Sequence, residues 1–199
     1  VAGDPSILLM DEPEAFLHPS LAFKLGKEVA GIMSHSEKRL FVATHSPNFI
    51  MGCIQSGAPV NIVRLTYRDN VATSRILPNE DILRLMRNPL LRSTGVLSGL
   101  FYEFVIVTES DADRAFYQEI NDRLLKFTDF GIPNCLFLNA QNKQTVKTII
   151  KPLRELGIPV AGIVDIDILK EGGSVWGEFL ESGYLPELEK NALAHTRPV

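Results

Sequence analysis

Three apolar, strand-like runs in this chain end directly in carboxylates, and that pairing constrains the fold more than any other feature. Ile7-Leu8-Leu9-Met10 runs into Asp11-Glu12, Phe104-Val105-Ile106-Val107 leads to Glu109 and Asp113, and Val160-Ala161-Gly162-Ile163-Val164 leads to Asp165 and Asp167. A strand without polar alternation is what a parallel sheet covered on both faces requires, and ligands of such sheets bind beyond the carboxyl ends of the strands. Carboxylates gathered at that edge repel one another unless a cation lies between them. The expectation is an α/β protein organised around divalent metal and phosphate.

Composition narrows the class. A length of 199 residues with 45 % apolar content allows one large domain or two small ones with a buried core. The 20 basic and 24 acidic residues are well mixed and sum to −4, so polyanion binding has to come from a local patch or a metal. No apolar stretch approaches the ~18 residues of a membrane span, and no basic segment followed by an apolar one opens the chain. A cytoplasmic protein without a membrane partner is expected. Cys53 and Cys135 stand in no metal or redox spacing and read as small buried hydrophobes in a reducing compartment. The four histidines are scattered and offer zinc no ligand set. Val1 to Pro5 lead without an initiator Met into a buried-type strand, so the expectation is a fragment of a longer protein, cut inside a domain.

Periodicity gives the order of elements. Residues 7–11 read as a strand, 20–34 as a helix with Ser20 as its cap, and 39–43 as a second strand ending in Thr44-His45-Ser46-Pro47. Ser46 and Pro47 suit the cap and first turn of a short helix through Met51. Strands over 60–67 and 71–76 flank a hairpin turn at Arg68-Asp69-Asn70. Residues 78–103 read as a helical linker, interrupted at Asn88-Pro89. Beyond it a strand at 104–108, helix 111–127, strand 135–139, helix 143–155 and strand 159–165 alternate, as βαβ crossovers of a parallel sheet do. Gly172-Gly173, a last helix around Trp176 to Leu180 and a polar tail complete the chain.

At the first strand end, an aspartate followed by a glutamate is how nucleotide hydrolases set a metal-directing acid beside one that polarises water. His45, closing the neighbouring strand, is placed to meet a terminal phosphate. The string Ile7-Leu8-Leu9-Met10-Asp11-Glu12-Pro13-Glu14-Ala15-Phe16-Leu17-His18-Pro19 resembles the Walker B and D-loop segment of ATP-binding-cassette-type ATPases. The branch it is most similar to is shared by DNA-repair ATPases and the OLD (overcoming lysogenization defect) nucleases. Val42-Ala43-Thr44-His45-Ser46-Pro47 looks like that branch's switch-histidine motif. The resemblance implies that Asp11 directs Mg²⁺, Glu12 is the hydrolytic base, His45 senses the γ-phosphate, and His18-Pro19 faces a dimer partner. The chain holds neither a G-x-x-x-x-G-K-[ST] loop nor a Ser-Gly-rich signature, which would lie upstream of Val1. By itself it is not expected to hydrolyse ATP.

In the second half, Glu109 and Asp113 stand four apart, a spacing that keeps side chains on one helical face. Asp165 and Asp167 alternate along an extended segment and so share one side of it. Joined at one sheet edge, the four acids would hold one or two Mg²⁺ or Mn²⁺ ions for phosphodiester chemistry. Leu100-Phe101-Tyr102-Glu103 leading into Val107-Thr108-Glu109-Ser110-Asp111-Ala112-Asp113, with the later Asp165-Ile166-Asp167, resembles a Toprim (topoisomerase–primase) domain of the OLD type over about 101–170. Thr108 and Ser110 depart from that family's usual Val-Glu-Gly. Asp111 is read as a spare acid that caps the helix. By the same resemblance Lys143, in Asn139-Ala140-Gln141-Asn142-Lys143, stabilises charge on the reacting phosphate or the leaving oxygen.

Other features are read plainly. Lys24, Lys27, Arg84, Arg87 and Arg92 are solvated helix faces, and Phe116, Tyr117, Phe127 and Phe130 are core at helical spacing. Tyr102 lacks the separate domain that a covalent tyrosine needs, and Trp176 anchors the last helix.

The combined expectation is an α/β chain with the C-terminal part of an ABC-type ATPase at 1–77, a helical linker at 78–100 and a Toprim nuclease at 101–199 with a mainly parallel, helix-flanked sheet. Its implied activity is metal-dependent DNA endonuclease action coupled to an ATPase, in phage defence or DNA processing. The catalytic set is Glu109, Lys143 and Glu12; the metal set is Glu109, Asp113, Asp165, Asp167 and Asp11; the ATP set is Asp11, Glu12 and His45. Its implied partners are DNA, ATP in the complete protein, and a second copy through the ATPase domain. Two alternatives stand beside it: an ATP-gated DNA clamp whose Toprim domain does not cut, and another Toprim enzyme such as a primase or an RNA-processing nuclease.

Overall fold

A computed structural model describes residues 6–68, 70–89, 91, 95–169, 174–183, 189–190 and 192–193. Asp69, Arg92, Gly172-Gly173, the start at Val1 to Pro5 and most of the polar tail lie outside the described residues, as does the Arg84 side chain. Two compact units divide at Arg87 and Asn88.

In the first unit β1 (Ile7–Asp11) pairs in parallel with β2 (Arg39–Ala43), with Asp11 opposite Ala43. The two strands therefore end level. Between them runs α1 (Pro19–Ser34), and after them α2 (Pro47–Gln55). α1 does not start on Ser20 as its polarity predicts: His18 is the N-cap residue and Pro19 takes the first turn. Proline's fixed φ and missing N–H suit that position, so the helix begins one residue earlier. α2 starts as expected, with Ser46 Oγ accepting from the Phe49 amide, and runs on past Met51 to Gln55. β3 (Ile62–Arg68) and β4 (Val71–Leu77) form an antiparallel hairpin, Arg68 opposite Val71, with Asn70 at φ 64° in its turn. α3 (Asn79–Arg87) follows.

One expectation fails here. The apolar run of β1 is not covered on both faces: Leu9 is 78 % exposed and Phe41 on β2 58 %. Among the described residues β1 and β2 pair only with each other, and the two helices bury their glycines against one another instead. Gly26 and Gly52 are the contact: a Cβ on Gly26 would lie 2.2 Å from the Phe49 carbonyl oxygen, and one on Gly52 2.0 Å from that of Phe23.

The second unit meets the expectation of a mainly parallel, helix-flanked sheet. β5 (Phe104–Thr108) lies at the centre, between β6 (Cys135–Asn139) and β7 (Val160–Ile163), all parallel. α4 (Asp111–Phe127) links β5 to β6, and α5 (Lys143–Glu155) links β6 to β7. α5 turns Val146, Ile149, Ile150 and Leu153 inward, an i, i+3, i+4, i+7 stripe, on to the buried Val105 and Val107 of β5. Each such side chain contributes roughly 1.5–3 kcal/mol by leaving water. The short 3₁₀ helix Val96–Phe101 adds Val96, Leu97 and Leu100 to that core. α6 (Ser174–Ser182) closes the unit, with Trp176 stacked on Phe179. Arg154 holds the end of α5 to β7, its Nε donating to the Val160 carbonyl at 3.1 Å. Three of the aromatics expected in the core are not: Phe116 on α4 is 61 % exposed, Phe127 at its end 72 %, and Phe130, beyond the helix, 83 %. Their spacing is helical, but among the described residues the sheet has three strands and its inward face is filled by α5. No helix of the described residues is long and apolar enough to cross a membrane.

The glycine contact yields opposite signs at two glycines of the packed helix pair. Gly52→Ala forces a Cβ against backbone and is expected to destabilise by about 1–3 kcal/mol, the usual range for overpacking. Gly31, in α1, has nothing within 4 Å of an added Cβ. Gly31→Ala is therefore expected to stabilise by roughly 0.5–1 kcal/mol. Urea midpoints of the two variants, measured against the parent, check both signs.

Candidate functional site

The two level strand ends of the first unit carry a compact polar edge. The Glu12 amide donates to the Ala43 carbonyl at 2.9 Å, and Glu12 itself sits at φ 42°, in the left-handed region. A non-glycine residue there is strained by on the order of 1 kcal/mol. His45 Nδ1 lies 2.7 Å from Glu12 Oε1, with both side chains well exposed. Asp11, the last residue of β1, is exposed beside them. Behind this pair Glu14 is 6 % exposed, and its Oε1 accepts from Thr44 Oγ1. Nothing in the sequence marks Glu14 as buried, because an acid in a turn normally stays in water.

The second unit brings its acids together by a different route from the one that spacing predicts. In the sheet, Thr108 stands opposite Ile163, so β5 and β7 also end level. Glu109 leaves β5 there, and its Oε1 accepts from the Asp165 amide at 2.8 Å. β7 ends at Ile163, short of the predicted strand end at 165, and a 3₁₀ turn, Ile166–Leu169, begins at once. The Ile168 amide donates to the Asp165 carbonyl at 3.1 Å while the Ile168 side chain is buried. That turn, and not alternation along a strand, gathers Asp165 and Asp167. One carboxylate oxygen from each of Glu109, Asp165 and Asp167 lies within 4.8 Å of the others. Lys143, the first residue of α5, puts Nζ 2.7 Å from Asp167 Oδ2.

Asp113 stands apart from this set. α4 begins at Asp111, so Glu109 is not on the helix and the four-residue spacing does not align the two acids. Ser110 is the N-cap: its Oγ accepts from the Asp113 amide at 3.2 Å, and Asp113 Oδ2 accepts from the Ser110 amide at 3.1 Å. This is a reciprocal capping box. The cap expected of Asp111 is thus made by Ser110 and Asp113. Asp111 pairs instead with Arg114 at 2.8 Å, and that bond holds its carboxyl below the usual range.

The two departures from the Toprim pattern have structural work. Thr108 is fully buried, and its hydroxyl lies 3.3 Å from the Leu138 carbonyl and 3.1 Å from that of Ser110, both acceptors. It ties the end of β5 to β6 immediately before Glu109. Ser110 starts the helix immediately after it. Cys53 and Cys135 are half-buried, and desolvation pushes both thiols up to about 11, which keeps them protonated and unreactive at neutral pH.

Residues 1–51, which include Asp11, Glu12, Glu14 and His45, match the family described as "AAA domain, putative AbiEii toxin, Type IV TA system". Residues 100–167, which include Glu109, Lys143, Asp165 and Asp167, match "Overcoming lysogenization defect protein-like, TOPRIM domain". The chain has the ATPase-plus-Toprim architecture of the OLD family. No curated protein matches it. The OLD-type Toprim match ends on Asp167, the last acid of the cluster, so it spans the whole carboxylate set.

Glu109 carries a testable electrostatic signature. Burial pushes its carboxyl above the usual range; the Asp165 amide opposes this, the Asp165 and Asp167 carboxylates add to it, and Lys143 opposes it. A raised folded pKa means that the unfolded chain gives up this proton at lower pH than the folded one. Below the ordinary glutamate value, about 4.3, both states keep it and nothing is lost. As pH rises past that value stability falls, and the loss is complete above the folded pKa. Glu109→Gln cannot ionise, so its melting temperature should equal the parent's in acid and exceed it at neutral pH. Thermal melts in divalent-free buffer check this; a gap that does not widen with pH contradicts it.

Proposed function

We propose that this protein is a metal-dependent DNA endonuclease whose cutting centre is the Glu109, Asp165 and Asp167 cluster with Lys143, coupled to an ATPase centred on Asp11, Glu12 and His45. The observation that carries the reading is the approach of three carboxylate oxygens to within 4.8 Å at one sheet edge. The donor chemistry fits a hard divalent cation: oxygens held roughly 2.0–2.6 Å from one ion stand at most about 4–5 Å from one another. Mg²⁺ or Mn²⁺ bound there supplies Lewis-acid polarisation of a phosphoryl oxygen and a more acidic water. Glu109, Asp165 and Asp167 hold that charge, the Asp165 amide fixes the Glu109 carboxylate, and α4 begins too late to bring Asp113 in. Lys143 is bonded to the set, 2.7 Å from Asp167, and is in position to steady negative charge on the scissile phosphate or the leaving oxygen.

In the first unit Asp11 would direct a bound Mg²⁺, Glu12 would polarise the attacking water, and His45 would face the γ-phosphate. The 2.7 Å contact supports this pairing, because a carboxylate at Nδ1 accepts that nitrogen's proton and orients the ring with Nε2 on its far side. ATP binding would gate cutting and pair two copies through the ATPase domain. The mixed charge and unpaired cysteines fit a cytoplasmic role in phage defence or DNA processing.

Two measurements test the proposal. Crystals soaked in Mn²⁺ should give an anomalous peak among Glu109, Asp165 and Asp167; clean maps at saturating metal would refute the centre. In a form of the protein that also carries a Gly-rich phosphate loop, Glu109→Gln should lower plasmid cleavage about a hundredfold or more while sparing ATP hydrolysis. Glu12→Gln should do the reverse. Cleavage by Glu109→Gln at the parent's rate would make an ATP-gated clamp the better account.

A further inference from the structure

One buried acid at the edge of the first unit has no part in the chemistry described so far. Glu14 is 6 % exposed, with Oε1 accepting from Thr44 Oγ1 and Oε2 without a hydrogen-bond partner among the described residues. Thr44 Oγ1 in turn accepts from the Ser46 amide at 3.0 Å, and Ser46 Oγ accepts from the Phe49 amide at 3.2 Å, starting α2. His45 lies between two members of this relay. On the opposite side, Glu12 and Glu14 share one turn, closed by Ala15 N–H on the Glu12 carbonyl at 2.9 Å and Leu17 N–H on the Glu14 carbonyl at 3.0 Å. The Glu14–Thr44 bond therefore joins the turn that carries Glu12 to the turn that carries His45.

Burial alone does not account for a carboxylate at this position. An acid taken out of water with one oxygen unpartnered is unfavourable, and an apolar side chain would fill the space without that penalty. A carboxylate does supply a strong, directional, charge-assisted acceptor for a hydroxyl. The His45–Glu12 contact needs such support, because both side chains are exposed and an exposed contact of this kind holds its own geometry only weakly. Glu12, Glu14, His45, Ser46 and Asn48 line a single open cleft, so the relay forms one wall of the space in which that pair would act.

We propose that Glu14 is a positioning residue that acts through Thr44 and Ser46 to hold the His45 imidazole on Glu12. The proposal rests on the ATP-hydrolysis reading for its kinetic consequence, but not for the geometry. The relay needs an acceptor at residue 14 and a hydroxyl at residue 44; it does not need the negative charge as such. Glu14→Gln and Thr44→Ser should therefore preserve it, and Glu14→Leu and Thr44→Val should break it.

The test is ¹⁵N spectroscopy of the histidine rings in this 199-residue chain, with His45→Gln assigning the signal. The parent, Glu14→Gln and Thr44→Ser should share one His45 signature, with the proton on Nδ1 and hydrogen-bonded. Thr44→Val and Glu14→Leu should move that signal to the tautomer average of a free imidazole and speed exchange of the Ser46 amide. In the form carrying the phosphate loop, Thr44→Val should lower kcat for ATP about tenfold or more with KM little changed, and Thr44→Ser should restore it. An unchanged His45 ring in folded Thr44→Val overturns the proposal, whatever ATP turnover does. Loss of the signature in Glu14→Gln also overturns it, since the charge would then be what matters. If Glu12→Gln fails to lower ATP turnover, the ATPase reading falls instead, and the ring signatures still decide the positioning role.

Discussion

Parallel register is the constraint on which both candidate centres depend. β5 and β7 are hydrogen-bonded neighbours with Thr108 opposite Ile163, and β1 and β2 are neighbours with Asp11 opposite Ala43. In an antiparallel pair one strand's end faces the other's beginning, and the acids would point to opposite edges. Parallel pairing instead delivers them together. The repulsion this creates is real: two like charges about 5 Å apart at a protein surface cost a few kcal/mol before screening. The fold offsets part of it with the Asp165 amide on Glu109 and the Lys143 ammonium on Asp167. What the fold does not neutralise would favour a cation at the proposed centre.

The two edges manage their polar groups differently. In the second unit the support is short-range and hydroxyl-based: Thr108 fixes the end of β5 and Ser110 with Asp113 fixes the start of α4, so Glu109 is held between two anchored neighbours. Three carboxylates then project from short, well-tied segments. In the first unit the exposed pair, Glu12 and His45, stands on turns that are tied from beneath by a buried acid. Surface ion pairs are worth about 0–1 kcal/mol, whereas hydrogen bonds to charged groups are worth about 1.5–3. In our proposal the ordering of the exposed pair comes from the buried one.

Much of this was legible along the chain. The alternation of apolar runs and helical stripes located β5, α4, β6 and α5 at their observed bounds, because each carries a full period and a turn signal at its ends. The acids at strand ends were also legible, as was the lysine opening α5. Three things were not. Ser110 and Asp113 both had polar side chains at a helix start, and only their mutual geometry decided that Asp113 caps the helix while Asp111 pairs with Arg114. The turn after Ile163 depends on burying Ile168, a tertiary contact that no local pattern announces. The exposure of Phe116 and Phe127 followed from which helix won the inner face of the sheet.

Sequence by itself determined the class of the fold, the order of its elements and the chemical identity of the groups at the strand ends, because periodicity and residue type are local properties. It also held the ATPase and Toprim motifs that family comparison recognises. Only the tertiary structure decided which acids meet. Placing β5 between β6 and β7 brought Glu109 to Asp165 and Asp167 across more than fifty residues of chain, while Asp113, four residues away, was drawn into the helix cap. Likewise Glu14 looks like any solvated turn residue until β1 and β2 pair, and their pairing sets Thr44 against it. Distance in space, not along the chain, selects a ligand set, since Coulomb and hydrogen-bond energies depend on the former alone.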